Sequence, residues 1–168
     1  MTQLETNIRF QETQQFRQGW LWALVLMVVG CLLLPIVIYA IEPEAIGGMA
    51  AVIGWGVVAI LFSAMVLYFF YTMRLETEVR ADGLYVRFFP LRKQEKIAYE
   101  QIEACNATAY SPIRDYGGWG VRLGKKGQAY NVSGNEGVQL RLAEARPLLI
   151  GSQRAAELAE AINQMRRA

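Results

Sequence analysis

The segment Thr77–Phe88, TEVRADGLYVRF, has the sequence pattern of a β-hairpin. Apolar and polar side chains alternate on both sides of Asp82-Gly83, and this dipeptide is a strong signal for a two-residue hairpin turn. The alternation begins at Leu75, and Pro90 ends the returning strand. Similar short segments predict six further strands, at residues 95–99, 103–109, 120–123, 128–132, 138–142 and 148–150. The carboxy-terminal half is therefore predicted to be a small antiparallel β domain.

After these strands the period of the apolar residues changes to that of a helix. From Gln153 onward, one face carries Ala155, Leu158, Ala159, Ile162 and Met165. Ser152 is a candidate N-cap for this helix. About seven strands followed by one amphipathic helix predict a small barrel or sandwich that the helix closes, because the apolar stripe must be covered.

Two long apolar segments precede the β domain. No charged residue lies between Gln18 and Ile41, nor between Ala45 and Met73. Each segment exceeds the ~20 residues that a helix needs to cross a bilayer. The link Glu42-Pro43-Glu44 is so short that it predicts an antiparallel helical hairpin. The whole chain is thus predicted to be an α+β membrane protein.

The hairpin is predicted to be an anchor, because neither helix carries an ionisable residue near its middle. The second helix has small residues at spacings of three and four, which favour close helix packing. They are Gly47, Gly48, Ala51, Gly54, Ala59 and Ser63. Two interpretations stay open for this stripe: packing within the hairpin, or an interface between copies of the chain.

Three regions follow from this organisation: a polar segment over residues 1–18, the hairpin over 19–73 and the β domain over 74–168. The segment 1–18 fits an interfacial stretch slightly better than an addition to the β domain. Basic residues flank the hairpin on its terminal sides (Arg9, Arg17, Arg74 and Arg80), whereas its tip carries only acids. The positive-inside rule therefore predicts that both termini are cytoplasmic.

Three motifs resemble bacterial membrane proteins that carry a pleckstrin-homology-like domain. These are TEVRADGLYVRF, KIAYEQIEA (residues 96–104) and LLIGSQRAAELAEAI (residues 148–162). The segments SPIRDYGGWGVR (111–122) and AYNVSGNEGVQL (129–140) are similar to an uncharacterised group of two-helix proteins within that set. The resemblance covers nearly the whole chain. It implies a multi-pass protein of the bacterial inner membrane whose β domain is pleckstrin-homology-like.

The resemblance also bears on lipid binding, because inositide-binding members use a long basic loop between the first two strands. Here that loop is the short, acidic Ala81–Gly83, so no specific phosphoinositide is expected. Basic residues in two other turns are candidates for contact with the anionic inner leaflet. They are Arg92, Lys93, Lys96, Lys125 and Lys126. The net charge of only +2 does not predict nucleic-acid binding.

Residues able to support catalysis or metal binding are scarce. The chain has no histidine and only Cys31 and Cys105, so no metal site or cofactor is expected. The carboxylates of Glu100, Glu103, Asp115 and Glu136 leave an enzyme only as a remote alternative, because no spacing pairs two of them. We expect a protein that is not an enzyme.

The most distinctive segment is Arg114–Gly120, RDYGGWG. Its glycines permit positive φ, and its aromatic and charged side chains offer contacts for a partner. The candidate partner-binding residues are Arg114, Asp115, Tyr116, Gly117, Gly118, Trp119, Arg122 and Asn135. Alternatively, a glycine bulge turns the strand, Trp119 fills the core and Arg114–Asp115 is a surface pair.

The predicted function is that of a membrane-anchored binding or scaffold protein. Its β domain would contact a partner protein, further copies of itself or the inner-leaflet surface. The alternative is an oligomer-forming structural or accessory subunit of a membrane complex.

Overall fold

The computed structural model describes residues 8–42, 48–124 and 126–167. The chain divides into a helical unit, Phe16–Thr72, and a β unit made of Met1–Gln15 together with Met73–Ala168. The β unit is therefore discontinuous in sequence. Its first strand precedes the helices and all its other strands follow them.

The helical unit contains α1 (Gly19–Ile41) and α2 (Met49–Thr72). By length and composition, both are apolar and long enough to cross a membrane. Many of their large apolar side chains point outward, among them Met27, Leu61 and Met65. An apolar outer surface is what a lipid environment selects, so the predicted membrane association is supported at this level.

The two helices contact each other along a narrow face of α2 formed by Val52, Gly56, Ala59 and Ser63. A Cβ added to Gly56 would lie 3.3 Å from the Cδ1 of Ile36, so glycine permits the close approach. The predicted stripe is only partly correct. Ala59 and Ser63 are buried, whereas Ala51 and Gly54 are exposed, and Gly47 lies outside the described residues. The 3.6-residue period explains this, because Gly54 projects away from the Gly56–Ala59 face.

A hydrogen bond also joins the two helices beside Pro35. The Trp55 indole Nε1–H donates to the carbonyl oxygen of Leu32 at 3.0 Å. Pro35 disturbs the carbonyls of the preceding turn because its ring replaces an N–H and needs space. A side-chain donor from the neighbouring helix at this turn is the kind of compensation that membrane helices require.

The first sheet of the β unit has four antiparallel strands in the order β1-β2-β3-β4. They are β1 (Phe10–Gln15), β2 (Arg74–Arg80), β3 (Gly83–Phe89) and β4 (Glu95–Ile97). The Asp82-Gly83 hairpin is confirmed, since Arg80 pairs with Gly83 across the turn. The alternation is confirmed as well: Leu75, Thr77 and Val79 are all buried.

The second sheet has five strands in the order β5-β8-β9-β7-β6. They are β5 (Ile102–Ala109), β6 (Gly120–Gly124), β7 (Gly127–Asn131), β8 (Glu136–Leu142) and β9 (Leu148–Gly151). The short helix α3 (Pro112–Tyr116) precedes β6, and α4 (Ala155–Arg167) ends the chain. The α4 face bearing Ala155, Leu158, Ala159 and Ile162 is buried and contacts β5 and β8, so the predicted helix stripe is confirmed.

Three features correct the predicted architecture. The two sheets are open and do not close into a barrel, and the described residues form nine strands where about seven were predicted. The consecutive strands β4 and β5 belong to different sheets, and a 3-10 turn at Tyr99–Gln101 connects them. The strands are also not all antiparallel, because β7 and β9 pair in parallel.

Strand β1 corrects the interfacial interpretation of residues 1–18, at least for Phe10–Gln15. This strand pairs with β2 along its whole length, from Phe10 opposite Val79 to Gln15 opposite Arg74. Phe10 and Gln14 are buried. The two buried side chains are four residues apart and one of them is polar, which is a weak signal for a strand. For this reason the sequence pattern fits an interfacial stretch better.

Further contacts tie β1 to the start of α4. The Glu12 carboxylate accepts hydrogen bonds from the Ser152 hydroxyl and from the Gln153 N–H, and Ser152 Oγ accepts the N–H of Arg154. The Gln14 amide donates to the Gly151 carbonyl at 2.8 Å. Ser152 was predicted to be the N-cap, but α4 begins at Ala155 and the N-cap position is Arg154. Ser152 instead holds the turn before the helix, together with a carboxylate from β1 that gives no local signal in the sequence.

Gly127 occupies the most demanding glycine position. Its φ is +118°, and an added Cβ would lie 2.2 Å from the carbonyl oxygen of Pro147. That oxygen accepts the N–H of Gln128, so it is held in place. We expect Gly127→Ala to reduce the free energy of unfolding by about 3 kcal/mol, because backbone strain and overpacking add.

Gly134→Ala is the matched control for this prediction. Its φ is +75°, but nothing lies within 4 Å of an added Cβ, so only the left-handed backbone is penalised, by about 1 kcal/mol. Thermal unfolding of the full chain in detergent compares the two variants. Equal losses of stability would show that Pro147 does not pack against Gly127 as described.

Candidate functional site

The segment Ser111–Gly124 contains a short helix where one of the two interpretations placed a glycine bulge. After α3, Gly117 adopts a left-handed conformation with φ +76°. The N–H of Gly117 donates to the Ile113 carbonyl and that of Gly118 to the Pro112 carbonyl, both at 2.9 Å. This is the hydrogen-bonding of a glycine helix cap. The glycines therefore end a helix and lead directly into β6.

Tyr116 is the aromatic side chain of this segment that enters the core. It packs edge-to-face against Tyr110, with 5.9 Å between ring centroids, in a buried cluster with Ala129 and Leu149. Its hydroxyl donates to Gln139 Oε1 at 3.0 Å. Gly124 makes room for this arrangement, because an added Cβ would lie 2.5 Å from the Asp115 carbonyl oxygen.

Trp119 is half-buried, so it is neither the core plug nor the fully exposed contact that the two interpretations required. Its carbonyl oxygen accepts the Arg122 Nε–H at 2.8 Å. The Arg122 guanidinium also lies beside Gly118, 3.6 Å from the position of an added Cβ. The glycine and tryptophan backbone therefore fixes the orientation of Arg122.

Asp115 organises the charged part of the segment. One oxygen accepts the Ser111 N–H at 2.9 Å, and the other lies 3.1 Å from Lys126 Nζ and 3.9 Å from Arg114 Nε. The Ser111 hydrogen bond first, and Lys126 second, hold the pKa of Asp115 below its ordinary value. The predicted pair of Arg114 with Asp115 is present, and Arg114 is largely exposed. Its distance to Asp115 is longer than that of Lys126.

Asn135 is exposed, and its carbonyl oxygen accepts the Tyr110 N–H at 2.8 Å. The buried asparagine nearby is Asn131, whose side-chain oxygen accepts the Gly120 N–H at 2.9 Å. Asn131 therefore holds the start of β6, while the Asn135 backbone holds the end of β5 next to α3.

The five predicted membrane-contact residues are not equivalent. Lys96 lies 2.7 Å from Asp82 and Lys126 lies 3.1 Å from Asp115, so both ammonium groups have a carboxylate partner. Arg92 and Lys93 are exposed in the turn after β3, and Lys125 lies outside the described residues. Arg92 shares an open groove with Arg122, although the two were predicted to belong to different sites.

Two candidate carboxylates of the enzyme hypothesis, Glu100 and Glu136, line different cavities. Glu100 lines a cavity of about 550 Å³ together with Glu95 and Glu144. Glu136 lines a different cavity of about 260 Å³ beside the start of α4, and Asp115 lines neither cavity. Within residues 8–42, 48–124 and 126–167, no three potential metal ligands of the His, Cys, Asp or Glu type come together.

Three residues with structural or electrostatic roles were not predicted. Glu12 holds the turn before α4, Trp55 joins the two helices, and Arg146 lines the groove shared by Arg92 and Arg122. Glu12 and Arg146 each act on a segment far away in sequence, so spacing alone gives no signal for them. Trp55 had a detectable signal, namely an indole N–H in an apolar helix opposite a proline.

Comparison with known proteins shows the family of the chain. No curated protein and no solved structure matches the chain significantly. One family model, described as "Family of unknown function (DUF6141)", matches residues 1–166. The match includes β1, both helices and the rest of the β unit up to the last turn of α4. The chain therefore belongs to the DUF6141 family.

Proposed function

We propose that this chain is a non-enzymatic, membrane-anchored binding protein. Its two helices span the bacterial inner membrane, and its β unit, of pleckstrin-homology-like type, faces a partner protein from the cytoplasmic side. Two open sheets with a terminal helix that contacts strands of both are compatible with that domain type. The two apolar helices, whose described residues 19–41 and 49–72 include no charged side chain, suit an anchor.

The observation that carries this proposal is the pairing of β1 with β2. Three residues connect β1 to α1 and one residue connects α2 to β2, and the two strands form one antiparallel ladder. Strands that pair must lie on the same side of a membrane, and a two-span hairpin returns the chain to the side from which it entered. The pairing supports a single side for both segments, and the positive-inside rule applied to the flanking Arg9, Arg17, Arg74 and Arg80 favours the cytoplasmic one.

Two short connections also confine the β unit to the neighbourhood of the bilayer. Confinement raises the effective concentration of a binding surface toward membrane-bound partners, so a modest intrinsic affinity suffices. The surface proposed for contact is α3 with the half-buried Trp119. There Ile113 and Arg114 are exposed, while Tyr116 and Asp115 hold the helix in place.

In-membrane photo-crosslinking tests this surface. A photoreactive residue at Ile113 should give a discrete adduct with a partner protein, and Trp119→Ala in the same chain should reduce its yield at least tenfold. The matched control places the photoreactive residue at Arg141, which is exposed on β8. Equal adducts from both positions, or an Ile113 adduct that is indifferent to Trp119→Ala, would remove this surface from the proposal.

A further inference from the structure

An open groove with a volume of about 470 Å³ lies beside the β6–β7 hairpin. Three of the residues lining it are arginines: Arg92 from the turn after β3, Arg122 from β6, and Arg146 from the segment before β9. Gln128 contributes an amide, and Val121 and Leu123 contribute apolar surface. Its volume falls within the usual range for small-molecule sites, roughly 300–1,000 Å³.

The charges of this groove are not balanced. None of its lining residues is acidic, and in the described part of the chain none of the three guanidinium groups forms a salt bridge. By contrast, Lys96 and Lys126 each have a carboxylate partner. Cations that line one groove repel each other, and a bound anion would relieve this repulsion.

Two of the polar side chains in the groove are held by neighbouring groups. Arg122 donates through Nε to the Trp119 carbonyl, which leaves its terminal nitrogens available for a ligand. The Gln128 side chain donates to the Tyr130 hydroxyl at 2.6 Å. Such prior fixation lowers the entropy that binding must otherwise remove. The sequence RDYGGWGVR acquires a role here, because its backbone positions Arg122.

The Glu95 carboxylate is connected to Gln128 through the Tyr130 hydroxyl, and it does not line the groove. It accepts a 3.4 Å hydrogen bond from Tyr130, so it is separated from Gln128 by the phenol. Burial first, and Glu95 second, raise the pKa of Tyr130 above its ordinary value, while Arg92 acts in the opposite direction.

We propose that Arg92, Arg122 and Arg146 bind a phosphate group. A planar guanidinium group can donate two parallel hydrogen bonds to the oxygens of a phosphate. Three guanidinium groups in one groove suit a phosphate dianion better than they suit a carboxylate, which carries one charge. The groove is larger than one phosphate, so it has room for the group that the phosphate is attached to, next to Val121 and Leu123. The bound phosphate belongs either to a soluble phosphorylated molecule or to an anionic lipid headgroup.

Phosphate binding in this groove does not require a partner protein at Trp119, so it goes beyond the proposed function. The binding experiment can therefore fail while the crosslinking experiment succeeds, and the reverse. Only the lipid source rests on the proposed membrane anchoring. The site does not include the Asp82-Gly83 turn, and it implies no preference for inositides.

The test uses the full chain in dodecyl maltoside micelles, which contain no phosphate. In one arm, pyrophosphate is titrated into the protein by calorimetry. In the other, native mass spectrometry compares retained phosphatidylglycerol with retained phosphatidylcholine. Saturable pyrophosphate binding identifies a soluble source, and preferential retention of phosphatidylglycerol identifies a headgroup source.

Either signal must depend on the groove. We expect Arg122→Gln and Arg92→Gln each to weaken the binding of pyrophosphate or phosphatidylglycerol at least tenfold. Arg122→Lys should weaken it two- to fivefold, because lysine keeps the charge but lacks the paired N–H donors of a guanidinium group. Arg141→Gln is the matched control and should change it less than twofold. If one of these variants fails to fold, Arg146→Gln is used in its place with the same expected loss, because Arg146 lies outside the strands. Binding in neither arm, or equal losses in Arg141→Gln, would overturn the proposal.

Discussion

Removing residues 1–15 is expected to abolish the folded β unit, although it leaves eight of the nine described strands intact in sequence. The deletion takes away the buried Phe10, a whole strand ladder along β2 and the Glu12 carboxylate at the start of α4. Burial of one large apolar side chain contributes about 1.5–3 kcal/mol, and each hydrogen bond of the ladder or of the Glu12 carboxylate contributes about 1. Together these approach the ~5–15 kcal/mol that stabilises a whole domain.

A composition-preserving exchange isolates the role of the strand face. Exchanging Phe10 with Gln11 moves the aromatic ring from the buried face to the exposed face, so we expect a loss of about 3 kcal/mol or more. Exchanging Gln11 with Thr13 leaves both residues on the exposed face and should change stability by less than about 0.5 kcal/mol. Thermal unfolding of the full chain measures both variants. A stable deletion variant would mean that β1 is dispensable.

Tyr116→Ala is expected to lower the free energy of unfolding by about 3–5 kcal/mol, because it empties a buried site and removes a partner of Gln139. Trp119→Ala should lose only about 1–2 kcal/mol. Its side chain is half-buried, and the contact that fixes Arg122 comes from its main chain. In a domain of this size, the difference corresponds to roughly 10–20 °C in melting temperature.

Tyr116→Phe separates the two contributions of the tyrosine. It keeps the ring packed against Tyr110 and removes only the hydroxyl bonded to Gln139, so about 1 kcal/mol is expected. If Trp119→Ala proved as destabilising as Tyr116→Ala, the original core-plug interpretation of Trp119 would return. In that case, a lower yield of the Ile113 adduct in the Trp119→Ala chain would reflect unfolding and not the loss of a contact with the partner.

Local sequence patterns predicted most of the elements but not how distant segments meet. The Asp82-Gly83 turn, the alternation through β2 and β3, and the α4 stripe are local signals with a period of two or 3.6 residues, and each is present in the fold. The parallel pairing of β7 with β9 and the open sheets depend on long-range contacts, which no local period encodes.

The candidate site shows the same division. RDYGGWG marks a place where the backbone needs glycine, and that need is local, since Gly117 ends α3. Which ring points inward was not predictable, because Tyr116 and Trp119 are three residues apart and both suit an interior. The groove arginines come from three separate segments, so only the tertiary structure brings Arg146 to Arg92 and Arg122.

The central claim is that the segment before the first helix and the segment after the second form one sheet on one side of the membrane. Gln11 and Glu78 lie directly opposite each other in the β1–β2 ladder, with their side chains in hydrogen-bond contact. Cysteines at such positions fall within the distance range of a disulfide. The native thiols Cys31 and Cys105 are free and can be replaced beforehand.

Oxidising membranes that contain the full-length Gln11→Cys/Glu78→Cys chain tests this claim most directly. We predict a rapid intramolecular disulfide that shifts the monomer band, and none for Gln11→Cys/Arg141→Cys, whose second position lies in the other sheet. The absence of a Gln11–Glu78 disulfide, or disulfides formed only between chains, would contradict a β unit assembled within one chain from both sides of the helical hairpin.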